Sequence, residues 1–115
     1  MPAAFRELSP AYRAANPEGT VKWAALERAA VTGNRLGQSN ANRIVWTAIE
    51  HMNVPTLLIG GDADLAVAPA MLRMFASHLP NAELVLVPEA GHSVYWEQPD
   101  LFNRTVLGFI ARHSA

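Results

Sequence analysis

The chain has 115 residues, half of them hydrophobic and 17% charged, which suits one small folded domain and excludes a disordered segment. Nine basic and ten acidic residues give a formal net charge of −1, which offers no electrostatic case for nucleic acid or an anionic membrane as partner. There is no cysteine, which removes disulfides, thiolate metal sites and Cys nucleophiles, and no apolar run is long enough to span a bilayer.

The start, "MPAAFRELSP", lacks the basic and then apolar blocks of a signal peptide, so the expected location is cytoplasmic. "LSPAYRAANPEGT" is rich in Pro, Asn, Ser and Gly and is predicted to be mostly loop. "TVKWAALERAAV" follows as a helix with Trp23, Leu26 and Ala30 on one face. "GNRLGQSNAN" is a second predicted loop, and "RIVWTAIEHM" reads equally as a helix or an irregular lead-in. The chain divides near Asn53 into a helical segment and linker, residues 1–53, and a more regular part, residues 54–115.

"VPTLLIGG" is a short, nearly continuous apolar run ended by glycines, the pattern of a parallel strand covered on both faces. In "APAMLRMFASHLP", Pro69 suits a first helical turn and Pro80 marks the stop. Leu72, Phe75, Ala76 and Leu79 fall on one stripe. "AELVLVP" is a second strand. "QPDLFNRTVLGFIARH" is a last helix with Pro99 near its start, Asp100 in its first turn, and Phe102, Val106, Phe109 and Ile110 as its inner face. The order is β-α-β-α, and two strands joined by a helix should lie parallel.

Parallel strands end at one edge of their sheet, where open α/β sheets place ligands. The first strand runs into "GGDADLAVAP" and the second into "PEAGH", so Asp62, Asp64 and His92 are predicted on loops at that edge. A carboxylate there can accept the imidazole Nδ1–H, fix the tautomer and leave Nε2 to act as a base. The interval between Asp64 and His92 fits one helix plus one strand. Such a pair works only with a nucleophile or water beside it.

These same residues, 54–113, resemble the C-terminal end of the α/β-hydrolase fold. In that family a "PTLL" strand leads to G-x-x-D, here Gly61-Asp62-Ala63-Asp64, and a later strand leads to G-H, here Gly91-His92, followed by "EQP" and a terminal helix. The resemblance implies a partial α/β-hydrolase fold: a C-terminal β-α-β-α unit with parallel strands, preceded by a helical cap segment that matches more loosely. It implies Asp64 as triad acid and His92 as triad base, with no cofactor or metal. The nucleophile elbow G-x-S-x-G and the oxyanion-hole loop are absent from these residues. The expectation is therefore the C-terminal portion of a hydrolase, inactive alone. It would act on a small-molecule substrate once completed by an N-terminal half, and would be prone to self-association through an exposed sheet edge.

Plainer readings stand beside these. A lone histidine after a glycine is often only a turn residue. Asp62 rivals Asp64, but is expected to cap or brace the turn after Gly60-Gly61. His51, His78 and His113 are expected in solvent, the last two near helix C-termini, where a cation is favoured. Leu65 and Val67 line a pocket or pack. Tyr95 and Trp96 are expected to pack near the base, Trp23 and Trp46 to bury against a helix, and Glu97 to brace the "EQP" helix start. Hydrolysis of an ester, or of a related acyl or carbon–carbon bond, through a serine is the leading function. A dehalogenase or epoxide hydrolase with an aspartate nucleophile, and a non-catalytic packing or partner-binding module, are the alternatives.

Overall fold

Proline at the first turn and a capping side chain before it start much of the helical structure. Ser9 Oγ accepts the Tyr12 N–H at 3.0 Å to open α2 (Pro10–Ala15), and Asn16 Oδ1 accepts the Gly19 N–H at 2.8 Å to open α3 (Pro17–Ala30). The stretch expected to be loop is therefore two helices. Its Ser, Asn and Pro residues are start signals, and the only break is Asn16, which ends one helix and caps the next. Leu8 and Ser9, between α1 (Ala3–Glu7) and α2, are buried.

The computed structural model describes residues 1–31, 33 and 37–114. The predicted loop at residues 33–42 falls partly outside these, and its described remainder, 33 and 37–42, forms no helix or strand. The ambiguous stretch after it divides: residues 43–45 are irregular and α4 (Trp46–Glu50) is a short helix. Strand β1 (Thr56–Gly61) and strand β2 (Ala82–Val87) pair in parallel, Thr56 opposite Ala82 and Gly61 opposite Val87. Among the described residues this is the whole sheet. Helix α5 (Pro69–His78) crosses between the strands and packs on both, with Leu72, Phe75, Ala76 and Leu79 half-buried as the stripe predicts.

A short helix, α6 (Val94–Glu97), precedes the terminal helix α7 (Pro99–His113). The inner face of α7 is narrower than expected. Phe102, Val106 and Phe109 are half-buried but Ile110 is 52% exposed, because a two-stranded sheet does not cover so wide a stripe. For the same reason β1 is not sealed on both faces, and only its two glycines are buried. The core lies at the C-terminal ends of the strands. There Val87, Ala90 and Val94 are buried, with Ile59, Val85, Leu101 and Phe102 packed on them. The tightest packing is thus directly beneath the loops that carry Asp64 and His92.

Candidate active site

The two strand-end loops are stitched together by backbone. Asp62 N–H donates to the Val87 carbonyl at 3.0 Å and Ala63 N–H to the Ala90 carbonyl at 2.9 Å. A side chain at Gly61 would collide with the Ala90 carbonyl, so the glycine permits the close approach. Asp62 Oδ1 accepts the Glu89 N–H at 2.7 Å. Glu89 has φ of 56°, a left-handed conformation uncommon outside glycine and asparagine. Asp62 therefore braces the facing turn rather than its own.

Asp64 is buried and its two oxygens have separate tasks. Oδ1 accepts the N–H groups of Ala66 and Val67 at 2.7 and 2.9 Å, which fixes the carboxylate. Oδ2 is left for His92 Nδ1 at 2.8 Å. The His92 side chain is 43% exposed, so Nε2 is open to a reactant. This geometry holds the Nδ1–H tautomer and a basic Nε2.

Three further polar groups join the site: Glu7 and Ser9, which the sequence did not single out, and Glu97, whose role differs from the one expected. Glu97 is buried and accepts Gly91 N–H at 2.6 Å, Ser9 N–H at 3.0 Å and Ser9 Oγ–H at 2.5 Å. It thus spans two loops instead of bracing its own helix start. The Glu7 carbonyl accepts Ser93 N–H at 3.1 Å. The Glu7 carboxylate, paired with Arg6, reaches within 3.8 Å of His92 Nε2. Segment 7–9 lies so close over Gly91 that a Cβ there would sit 2.7 Å from both the Glu7 carbonyl oxygen and the Ser9 nitrogen. The local signals available were Ser9 directly before Pro10 and Gly91 directly before His92.

The remaining candidates separate clearly. Leu65 beside Asp64 is exposed and Val67 half-buried. Tyr95 is exposed, its ring edge-on to Phe102, while Trp96 is half-buried. Trp23 and Leu26 of α3 face Tyr95 and Trp96 across a shallow cavity of about 350 Å³. Trp46 packs edge-on against Phe75 and stacks on His78. His78 also pairs with Glu50 at 2.7 Å and is half-buried, not in open solvent as expected, whereas His113 is exposed as expected while lying against Phe109 and 3.4 Å from Glu83. His51 is exposed, its Nδ1 2.6 Å from the Thr47 carbonyl. A concavity of about 750 Å³ is lined by Trp46, Ile49, Phe75 and Leu79 beside Thr56. That is the opposite end of β1 from Asp64, so this groove does not serve the His92 edge.

A family model described as alpha/beta hydrolase fold matches residues 4–99, taking in the helical first half as well as the strands. A 2-hydroxy-6-oxononadienedioate/2-hydroxy-6-oxononatrienedioate hydrolase of a Pseudomonas species is 40% identical over 62 residues, 53% of this chain and 22% of that protein. A Bacillus subtilis protein provisionally named 2-succinyl-6-hydroxy-2,4-cyclohexadiene-1-carboxylate synthase is 38% identical over 66 residues, 57% of this chain and 24% of its own length. Among solved structures, Rv0554 from Mycobacterium tuberculosis superposes with a TM-score of 0.74 at 24% identity over 96% of this chain and 42% of that one. A thermophilic esterase from Thermogutta terrifontis does so with a TM-score of 0.75 at 18% identity, again over 96% and 42%. At these identities the structural likeness is one of fold. The chain spans about a quarter of the length of the curated relatives it matches.

Proposed function

This chain belongs to the alpha/beta hydrolase fold family, and on that premise we propose that it is the C-terminal portion of a hydrolase, with Asp64 and His92 as acid and base of a triad. The observation that carries the reading is the 2.8 Å contact from His92 Nδ1 to an Asp64 oxygen whose twin is already engaged by two backbone N–H groups. The nucleophile comes from a segment carrying the elbow that these residues lack. Its hydroxyl proton passes to His92 Nε2 as its oxygen attacks the substrate carbonyl carbon. Asp64 stabilises the imidazolium, which then returns the proton to the departing group. A water deprotonated by the same nitrogen releases the acyl group as a carboxylic acid. Ester or related acyl or carbon–carbon bond hydrolysis is the class, and the hydrolase name of the Pseudomonas relative supports it. An aspartate nucleophile, as in dehalogenases and epoxide hydrolases, would use the same pair only to activate water.

The test is complementation. The chain alone should not turn over activated esters, since loss of a triad nucleophile costs on the order of 10⁶ in rate. Joined to an N-terminal half bearing a G-x-S-x-G elbow, it should hydrolyse them, and His92→Ala should abolish that activity. Turnover by the chain alone that depends on His92 would sink the proposal.

A further inference from the structure

His92 is held by the backbone on both sides, and both holds lead to one buried carboxylate. The Gly91 N–H, immediately before His92, donates to Glu97 Oε2 at 2.6 Å. The Ser93 N–H, immediately after it, donates to the Glu7 carbonyl at 3.1 Å. The segment carrying Glu7 is itself tied to Glu97, through Ser9 N–H at 3.0 Å and Ser9 Oγ–H at 2.5 Å on Oε1. Ser9 and Glu97 are 88 positions apart, so nothing local requires the contact. A buried carboxylate is tolerable only where donors converge on it, and charge-assisted bonds of this kind are the strong ones. Glu97 has three such donors, and all of them belong to the residues flanking the imidazole or lying over them. Its own N–H is spent on the Ser93 carbonyl, which ties α6 to the same loop.

We infer that Glu97 is a positioning residue for His92: by fixing Gly91 and Ser9 directly, and Glu7 through Ser9, it sets the ring where Nδ1 meets Asp64. The inference rests on the reading of His92 as the base paired with Asp64. Glu97 touches neither substrate nor ring. A carboxylate that merely glued the first helices to the domain would have no bearing on which ring nitrogen carries the proton.

The experiment uses the 115-residue chain labelled with ¹⁵N only at its four histidines, so that the ring signals remain readable in an associated state. Long-range ¹H–¹⁵N correlation above the titration range of histidine reports the tautomer. In the unaltered chain His92 should carry its proton on Nδ1. In Glu97→Gln the amide oxygen can serve only one side, Gly91 or Ser9, and the amide N–H faces the donor on the other, so the His92 signals should move toward the Nε2–H form that dominates a free imidazole. The signals of His51, His78 and His113 should stay in place and report that the fold persists. Ser9→Ala removes one donor only and should shift His92 in the same direction by less, which keeps the test open if Glu97→Gln does not fold. A His92 that stays on Nδ1–H in whichever of these variants folds would overturn the positioning role. A His92 lacking the Nδ1–H form in the unaltered chain would instead overturn the Asp64 pairing, and the inference with it.

Discussion

At Asp64 the division of labour between the two carboxylate oxygens gives a sharp expectation. In Asp64→Asn the amide oxygen can keep the Ala66 and Val67 N–H groups, which turns the amide nitrogen toward His92. An N–H then faces Nδ1, the ring adopts the other tautomer, and Nε2 carries a proton where a lone pair is needed. In the complemented enzyme kcat should fall by about 10⁴ with the melting temperature nearly unchanged, a split that steady-state kinetics and calorimetry together would read. Gly91→Ala should act the opposite way. Its Cβ meets rigid backbone of residues 7 and 9, so stability should drop by about 1–3 kcal/mol in urea denaturation. Asp64 and His92 were legible as candidates because each follows the end of a strand, and strand ends converge. Ser9 was not, and Glu97 was legible only as a brace for its own helix start, not as the partner of Ser9 and Gly91. A carboxylate and a hydroxyl far apart in sequence carry no periodicity, and only the folded chain shows that they share a buried space.

Among the elements, the strands and the two longer helices of the second half were readable because apolar runs and stripes answer directly to burial. The first half was misread where composition and position conflict: Pro, Ser and Asn disfavour a helix interior yet favour its first turn. The Asn16 cap can be tested directly. Asn16→Ala removes the acceptor for Gly19 N–H and should cost about 1 kcal/mol, seen as a lower urea midpoint with an unchanged slope. The other end of the chain holds a pH-dependent contact. Desolvation is the largest single influence on Glu83 and raises its pKa, but the hydrogen bonds and charges of Arg112 and His113 together outweigh it and hold the group below its ordinary value. A depressed folded-state pKa means that the link from β2 to the last turn of α7 is intact above the ordinary carboxylate pKa. It is lost as pH falls through the lower, folded value. Amide exchange in residues 110–113 should therefore accelerate, relative to the rest of α7, only on acidification through that range. Glu83→Gln should show the faster exchange already at neutral pH.

The molecule as a whole has more surface than a chain of its size should keep. A compact 115-residue domain has a radius of gyration of about 13 Å, whereas this chain has 16.3 Å. Its accessible surface is 8244 Å², against roughly 6,200 Å² for a monomer of this mass. The excess of about 2,000 Å² on one chain is more than the roughly 800 Å² that each partner buries in a standard protein interface. Its location is visible too. Strand β1 pairs with β2 on one edge only, which leaves the N–H and C=O groups of its other edge without a strand partner among the described residues. At the foot of that strand the 750 Å³ groove exposes Ile44, Val45 and Trp46 beside Phe75 and Leu79. An unpaired edge next to an apolar groove is a template for another chain. The expected behaviour in isolation is concentration-dependent self-association, seen as a rising mass by light scattering behind size exclusion and as binding of an apolar-surface dye. Lys in place of Val45 and Ile49 should weaken it by charging the groove without touching the Asp64–His92 end. A monomer at all concentrations that melts cooperatively and leaves the dye unbound would mean that the helices before β1 cover the sheet unaided.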